Sequence, residues 1–233
     1  MKVLVATEKP FAAAAVSGIR NIVEGAGHEL VLLEKYTEKA QLLGAVADVD
    51  AMIVRSDKVT AEVIAAAKNL KIVVRAGAGY DNLDLGACSE RGIVAMNTPG
   101  QNSNAVAELA LAMMIFMSRN QFTPGTGMEI KGKKVGIQAY GNVGRLVAEK
   151  AKALGMDVMA YDPFVPAEKM VEEGVTPAES LEKMYEQCNF ISLHIPAVPA
   201  TIGSINYSLV SRMPKGGCLV NTARKEVINE AEL

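Results

Sequence analysis

The sequence of 233 residues has no tryptophan, only three cysteines and only two histidines. The cysteines, Cys88, Cys188 and Cys218, are odd in number and form no C-x-x-C pair, which argues against a disulfide framework and is typical of a reducing compartment. We interpret them as small core residues rather than as catalytic thiols. No metal site is predicted.

An excess of one charge and a long hydrophobic run are also missing. Lys and Arg number 24 against 26 Asp and Glu, and no long basic run offers phosphate contacts, so we expect no nucleic-acid partner. The longest membrane-like stretch, residues 109–118, is well short of the roughly 20 residues that cross a bilayer. The N-terminus lacks the apolar run of a signal peptide. We therefore expect a cytoplasmic globular protein without a membrane partner.

The sequence does contain short Val- and Ile-rich runs that alternate with longer helical patterns. The first series lies at residues 2–6, 29–33, 51–55, 71–75 and 93–96, and the second at residues 134–137, 157–161, 190–194 and 218–221. Apolar runs that are buried on both faces and separated by helices predict parallel sheets with crossover connections. The predicted fold class is therefore α/β.

Residues 98–103 separate the two series. Their proline and glycine break periodic structure, and either Ser103 or Asn104 is expected to cap the helix that follows. We place the domain boundary here, with domains at residues 1–99 and 100–233. The helix at about residues 104–119 is apolar almost all round, which predicts burial in a core or in a subunit contact.

The strongest motif, at residues 134–148, is a strand that turns directly into a helix through small residues. The turn fits the pattern G-x-G-x-x-G at Gly141 and Gly144, with Ala139 in the first glycine position. A pyrophosphate binds such a turn because backbone N–H groups and the helix dipole favour negative charge there. Asp162 ends the next strand, 18 residues beyond Gly144, near the spacing of the acid that binds the ribose of NAD. The alternative is that these are turn and strand-end residues of another doubly wound protein.

Several distinctive segments occur in the same order as in the D-2-hydroxyacid dehydrogenases, and the whole chain resembles that family. The segments are Val54-Arg55-Ser56, residues 74–82, Asn97-Thr98-Pro99, residues 106–109, the turn just described and residues 220–224. The resemblance implies a flavodoxin-like substrate domain followed by a Rossmann-type domain that binds NAD. It also implies a homodimer formed through the cofactor domain, for which the apolar helix at residues 104–119 is the candidate contact.

The resemblance assigns the site residues one by one. The cofactor-binding positions are Ala139, Gly141, Asn142, Val143, Gly144, Asp162, Thr222 and Ala223, and the substrate-binding positions are Arg55, Ser56, Gly77, Ala78 and Gly79. Arg224 matches the catalytic arginine of the family, whose guanidinium grips the substrate carboxylate and polarises the C2 oxygen. Ala78 stands where many relatives have a hydroxyl residue, so one cofactor contact is expected to be missing. The alternatives are a solvated strand-end Arg224 and a surface Arg55 with a turn Ser56.

Within the family, the sequence resembles, in a short form, the members that act on a phosphorylated substrate. Arg55 and Ser56 could meet the phosphate of such a substrate. This resemblance implies NAD-dependent oxidation of D-3-phosphoglycerate to 3-phosphohydroxypyruvate, the entry to serine biosynthesis. Two alternatives remain open. One is a reductase of glyoxylate or hydroxypyruvate, and the other is a non-catalytic NAD-binding regulatory protein on the same scaffold.

The acid–base pair of the family, a histidine and a glutamate, corresponds to positions beyond Leu233. His28 precedes a strand of the first domain and is interpreted as a surface residue, and His194 ends a strand of the second near the cofactor rim. Neither matches the catalytic position. The last residues, 229–233, look like the start of a helix. We therefore expect a C-terminally truncated form with an incomplete cofactor domain and weak or no turnover.

Overall fold

A computed structural model describes all 233 residues. The chain divides into two compact units, residues 1–101 and 102–233, and each unit is built on one five-stranded sheet. Every strand pair in both sheets is parallel, and helices connect the strands. The predicted α/β fold with parallel sheets is therefore confirmed.

The first unit has the strand order β2-β1-β3-β4-β5, which is the flavodoxin-like order. Its elements are β1 (Lys2–Thr7), α1 (Ala13–Gly25), β2 (Glu29–Glu34), α2 (Lys39–Ala45), β3 (Ala51–Val54), α3 (Ala61–Ala66), β4 (Ile72–Arg75), α4 (Leu85–Glu90) and β5 (Val94–Asn97). The strands form because branched apolar side chains fill both faces of the sheet. Leu4 and Val5, adjacent in β1, are both fully buried and belong to different core clusters.

The second unit has the strand order β10-β9-β6-β7-β8, in which the order reverses at β6. Its elements are α5 (Ser103–Ser118), β6 (Lys134–Gln138), α6 (Asn142–Ala153), β7 (Asp157–Tyr161), α7 (Ala167–Glu172), β8 (Thr176–Pro177), α8 (Leu181–Gln187), β9 (Phe190–Leu193), α9 (Tyr207–Val210) and β10 (Cys218–Asn221), with 3₁₀ turns at Asn120–Phe122, Lys225–Val227 and Glu230–Glu232. The chain runs outward from β6 through β7 to β8, and then returns to the other side of β6 with β9 and β10. In open α/β sheets, ligands bind outside the carboxyl ends of the strands at such a reversal.

All the strands predicted from the sequence form, each with ends within about one residue of the prediction. The predicted helix cap is wrong. The residue that precedes the first turn of α5 is Asn102, whose side chain makes no capping hydrogen bond. Ser103 lies buried inside the helix, and the Asn104 side chain bonds Glu108 instead.

Helix α5 is buried on one face only. Ala107, Ala110 and Met114 are fully buried against the second unit's core, whereas Leu109 and Phe116 remain 54% and 40% exposed. Cys88 and Cys188 are buried in core clusters, as predicted, whereas Cys218 is only partly buried against the core of the second unit. Burial raises the pKa of all three thiols. None of the helices combines the length and the apolar character needed to cross a bilayer.

Candidate functional site

The turn between β6 and α6 contains a residue with a strained backbone. Ala139 follows β6 with a φ of +75°, in the left-handed region, which costs a residue with a Cβ about 1–2 kcal/mol. Gly141 precedes the first turn of α6, with a φ of −85° that other residues also adopt. The turn therefore places backbone N–H groups at the N-terminus of a 12-residue helix, where an anion is favoured.

The two glycines of the turn are required for different physical reasons. A Cβ at Gly144 would lie 2.3 Å from the carbonyl oxygen of Ala139 and 3.1 Å from Cγ2 of Ile137, so helix and strand pack closely there. A Cβ at Gly141 would meet no protein atom within 4 Å. Neither the backbone conformation nor protein packing therefore explains glycine at position 141. A ligand that approaches the backbone does, and the pyrophosphate of a dinucleotide has that requirement.

Asp162 follows β7 and joins the turn through its carboxylate. Oδ2 accepts a hydrogen bond from the backbone N–H of Tyr140 at 2.8 Å, and Oδ1 accepts one from the backbone N–H of Phe164 at 2.9 Å. Each oxygen keeps a further lone pair, because a carboxylate offers about four acceptor positions. The acid that the sequence placed beside the turn is thus fixed there and can still accept the hydroxyls of a ribose.

The segment that carries Arg224 follows β10 and is held by a side chain that sequence analysis did not single out. Asn221 accepts a hydrogen bond from the backbone N–H of Ala223 at 2.9 Å and donates one to the backbone carbonyl of Arg224 at 2.8 Å. The guanidinium of Arg224, which is half-buried, also donates to the carbonyl of Ala223 at 3.0 Å. Asn221 therefore fixes the backbone of Ala223 and Arg224, next to the candidate cofactor contact Thr222.

His194 lies directly after β9, between the ends of β6 and β10. Its Nε2 lies 3.0 Å from Oγ of Ser192, and its Nδ1 lies 3.4 Å from Oγ1 of Thr222. Burial lowers the pKa of His194 to about 4, so the ring is neutral near pH 7. A base with so low a pKa accepts a proton from a hydroxyl group poorly. The residue is thus close to the cofactor segments but unsuited to acid–base work, in line with its interpretation from the sequence.

The substrate-binding candidates of the first unit gather at the carboxyl ends of β3 and β4. Arg55 and Ser56 follow β3 and are exposed. They are anchored by Asp57, which is 5% exposed and accepts hydrogen bonds from the Tyr36 hydroxyl at 2.8 Å and the backbone N–H of Glu8 at 2.7 Å. Because Asp57 is held by these hydrogen bonds, it fixes the backbone position from which the Arg55 side chain extends into solvent.

The loop at residues 76–79 follows β4 and lies beside Arg55. A Cβ at Gly77 would lie 1.4 Å from Nη1 of Arg75, whose Nε donates to the backbone carbonyl of Arg55 at 2.9 Å. On the other side, the Asn97 side chain donates to the carbonyl of Ala78 at 2.7 Å. The glycine thus makes room for a guanidinium that links the two candidate substrate segments.

Comparison with known proteins identifies the family of this chain. Residues 105–233, more than half of the chain, match the family model described as "D-isomer specific 2-hydroxyacid dehydrogenase, NAD binding domain". The chain belongs to this dehydrogenase family. The family's cofactor is NAD, and the open space at Gly141, the N-terminus of α6 and the position of Asp162 fit that cofactor.

Individual relatives agree with the family assignment. The chain is 38% identical to a hydroxypyruvate reductase of Thermotoga maritima, over 88% of this chain and 70% of that one. It is also 38% identical to a D-3-phosphoglycerate dehydrogenase of Archaeoglobus fulgidus, over 100% of this chain but only 45% of that one. The structure of an NAD-bound 3-phosphoglycerate dehydrogenase of Entamoeba histolytica superposes with a TM-score of 0.93 at 49% identity, covering 100% of this chain and 74% of that one. The chain thus spans less than half of the Archaeoglobus relative.

Proposed function

We propose that this chain serves the NAD-dependent oxidation of D-3-phosphoglycerate to 3-phosphohydroxypyruvate, the entry to serine biosynthesis. The observation that carries the proposal is the exposed pair Arg55 and Ser56 at the end of β3, beside the loop at residues 76–79. A guanidinium and a hydroxyl suit a phosphate group, which glyoxylate and hydroxypyruvate lack. The 49% identity with the 3-phosphoglycerate dehydrogenase of Entamoeba histolytica supports the same substrate.

On the cofactor side, we assign the pyrophosphate to the turn. Ala139, Gly141, Asn142, Val143 and Gly144 surround the N-terminus of α6, whose N–H groups and dipole attract the phosphates. Asp162 takes the ribose hydroxyls, and its negative charge disfavours the additional phosphate of NADP. When bound, NAD supplies the acceptor for the hydride.

Arg224 is the residue that we assign to the chemistry, with Thr222 and Ala223 against the cofactor. Oxidation would require the hydride to leave C2 with its electron pair for bound NAD and the hydroxyl proton to pass to a base, so that the C2–O bond becomes a carbonyl. His194, with its lowered pKa, is not assigned as that base. The guanidinium of Arg224 binds the substrate carboxylate and polarises the C2 oxygen through its planar fork of donors. In the first unit, the N–H groups of residues 77–79 are the candidates for binding the substrate carboxylate, because glycine permits close approach.

The test compares D-3-phosphoglycerate with D-glycerate, which differs only by lacking the phosphate. Binding of each acid is measured by calorimetry with NADH present, together with NADH formation from NAD. We expect Arg55→Gln to weaken binding of the phosphorylated acid about 10- to 100-fold, as for loss of a charged hydrogen bond, and to leave D-glycerate binding unchanged. The matched control, Arg20→Gln on α1, removes the same charge from the same unit. Equal affinity of the wild-type chain for both acids contradicts the proposal.

A reductase of hydroxypyruvate is the second candidate, and the 38% identical Thermotoga relative favours it. That activity needs no phosphate on the substrate. Rapid NADH consumption with hydroxypyruvate, combined with an Arg55→Gln variant that behaves like the wild type, would select this candidate instead of the first.

We also propose that the chain forms a homodimer through the exposed face of α5. Leu109, Met113 and Phe116 are spaced by four and three residues, and therefore share one helical face opposite the buried one. Phe122, 68% exposed, packs edge-on against Phe116 with ring centroids 5.3 Å apart. A contiguous apolar face of this kind suits a subunit contact.

A further inference from the structure

The carboxylate of Glu173 bonds two residues in and beside the turn between β6 and α6, Tyr140 and Arg145. Tyr140 stands between Ala139 and Gly141, and its side chain is 1% exposed. Its hydroxyl donates a hydrogen bond to Oε2 of Glu173 at 2.7 Å. Glu173 directly follows α7, so it reaches the turn from a different element. Burial and this hydrogen bond raise the pKa of Tyr140, which keeps the hydroxyl protonated and able to donate.

The second residue held by Glu173 is Arg145, in the first turns of α6. Its guanidinium pairs with Oε1 of Glu173 and lies over the Tyr140 ring, with Cζ 4.8 Å from the ring centroid. The hydrogen bond from Tyr140 and the charge of Arg145 hold the pKa of Glu173 below its ordinary value. The carboxylate therefore stays ionised near pH 7 and joins the turn to the start of the helix.

The turn needs such support because its backbone is strained. Ala139 occupies a conformation that glycine adopts freely, with a φ of +75°. A strained residue keeps its conformation only when its surroundings determine it. Tyr140 directly follows Ala139, and its backbone N–H donates to Asp162 while its hydroxyl donates to Glu173. Two carboxylates thus fix one tyrosine at its two ends.

We propose that Glu173 is a positioning residue for NAD: by holding Tyr140 and Arg145, it keeps the Ala139 turn in the shape that receives the pyrophosphate. Glu173 lies outside the glycine motif, directly after α7, and its side chain bonds Tyr140 and Arg145. The inference rests on the assignment of NAD to the second unit and is independent of the substrate. It predicts that removing the Glu173 carboxylate lowers the affinity for NAD even at temperatures where the protein remains folded.

The experiment titrates the full chain with NADH and follows the change in NADH fluorescence on binding. We expect Glu173→Gln to raise the Kd of NADH about tenfold, as for loss of hydrogen bonds to a charged group. Tyr140→Phe keeps the ring and removes only the hydroxyl, so we expect about a threefold rise. Glu172→Gln, at the exposed neighbouring position, is the matched control and should leave the Kd unchanged.

A rescue variant separates positioning from general loss of structure. Ala139→Gly relieves the backbone strain, so adding it to Glu173→Gln should restore most of the lost NADH affinity. If Glu173→Gln acted only through a general loss of structure, the added Ala139→Gly would not restore NADH affinity. The proposal is overturned if Glu173→Gln and Tyr140→Phe bind NADH as the wild type does, even if both melt at lower temperature, or if Ala139→Gly gives no rescue. Failure of the wild-type chain to bind NADH would instead contradict the assignment of the cofactor.

Discussion

At the scale of single residues, substitutions at Gly141 and Gly144 should distinguish effects on folding stability from effects on ligand binding. Gly144→Ala would force a Cβ to within 2.3 Å of the Ala139 carbonyl oxygen, so we expect the free energy of unfolding to fall by about 1–3 kcal/mol. Gly141→Ala meets no protein atom, so its effect on stability should stay within about 0.5 kcal/mol. Because a methyl group there obstructs the pyrophosphate, we expect NADH binding more than about tenfold weaker.

Urea unfolding followed by circular dichroism measures the stabilities, and NADH fluorescence measures the affinities. Each variant is the control for the other, since both add one methyl group to the same turn. If Gly141→Ala binds NADH normally, the pyrophosphate does not lie against this residue.

His194 predicts how stability depends on pH. Its pKa is lowered from 6.5 to about 4 in the folded chain by burial. Between these values the unfolded chain binds a proton that the folded chain does not, so this residue's contribution is complete above pH 6.5 and is lost as the pH falls towards 4. The loss amounts to at most about 3 kcal/mol. His194→Gln should flatten that part of the curve.

The measurement is the free energy of unfolding of each variant at several pH values between 7.5 and 4, approximately the range in which the histidine titrates. Carboxylates also titrate at the acidic end, but they are common to all the variants and cancel in the difference. His28→Gln removes the other histidine and is the matched control for the loss of an imidazole. A His194→Gln curve parallel to that of the wild type would show that the buried ring does not control the pH dependence.

At the scale of elements, helix α5 carries the prediction on assembly. Leu109→Glu places a charge on the exposed apolar face without touching the buried one. We therefore expect a monomer where the wild type is a dimer, because burying an unpaired charge is costly. Light scattering coupled to size-exclusion chromatography gives the mass. Ile22→Glu, at an apolar residue on α1 that is even more exposed than Leu109, is the control and should leave the mass unchanged. A wild-type chain that elutes as a monomer contradicts the proposed contact.

The elements themselves were largely predictable, because Val- and Ile-rich runs between helical patterns leave little choice but buried parallel strands. The exception, β8, consists of Thr176 and Pro177 alone. Two residues carry no periodicity, and proline argues against a strand unless it lies at a sheet edge, which is where β8 is found. The prediction of the α5 cap was wrong for a related reason. Several residues near the start of the helix have side chains that suit a cap, and only packing decides at which one the helix begins.

At the scale of the whole molecule, strand order explains why the site was predictable in part. Asp162 and the turn belong to neighbouring parallel strands, β7 and β6, so their carboxyl ends had to meet. The link between Tyr140 and Glu173 spans 33 residues and depends on where a short helix ends. No motif encodes such a contact. The φ of Ala139 was also undetermined, because an alanine in a glycine position reveals its conformation only in three dimensions.

The different requirements at Gly141 and Gly144 bear on how copies of this gene diverge. A copy that loses its need for NAD but still has to fold stays under selection at position 144, where a side chain collides with the protein itself. At position 141 selection would relax, because only the ligand excludes a side chain there. Among homologous sequences, drift at 141 with glycine retained at 144 therefore marks members that have kept the scaffold and abandoned the cofactor.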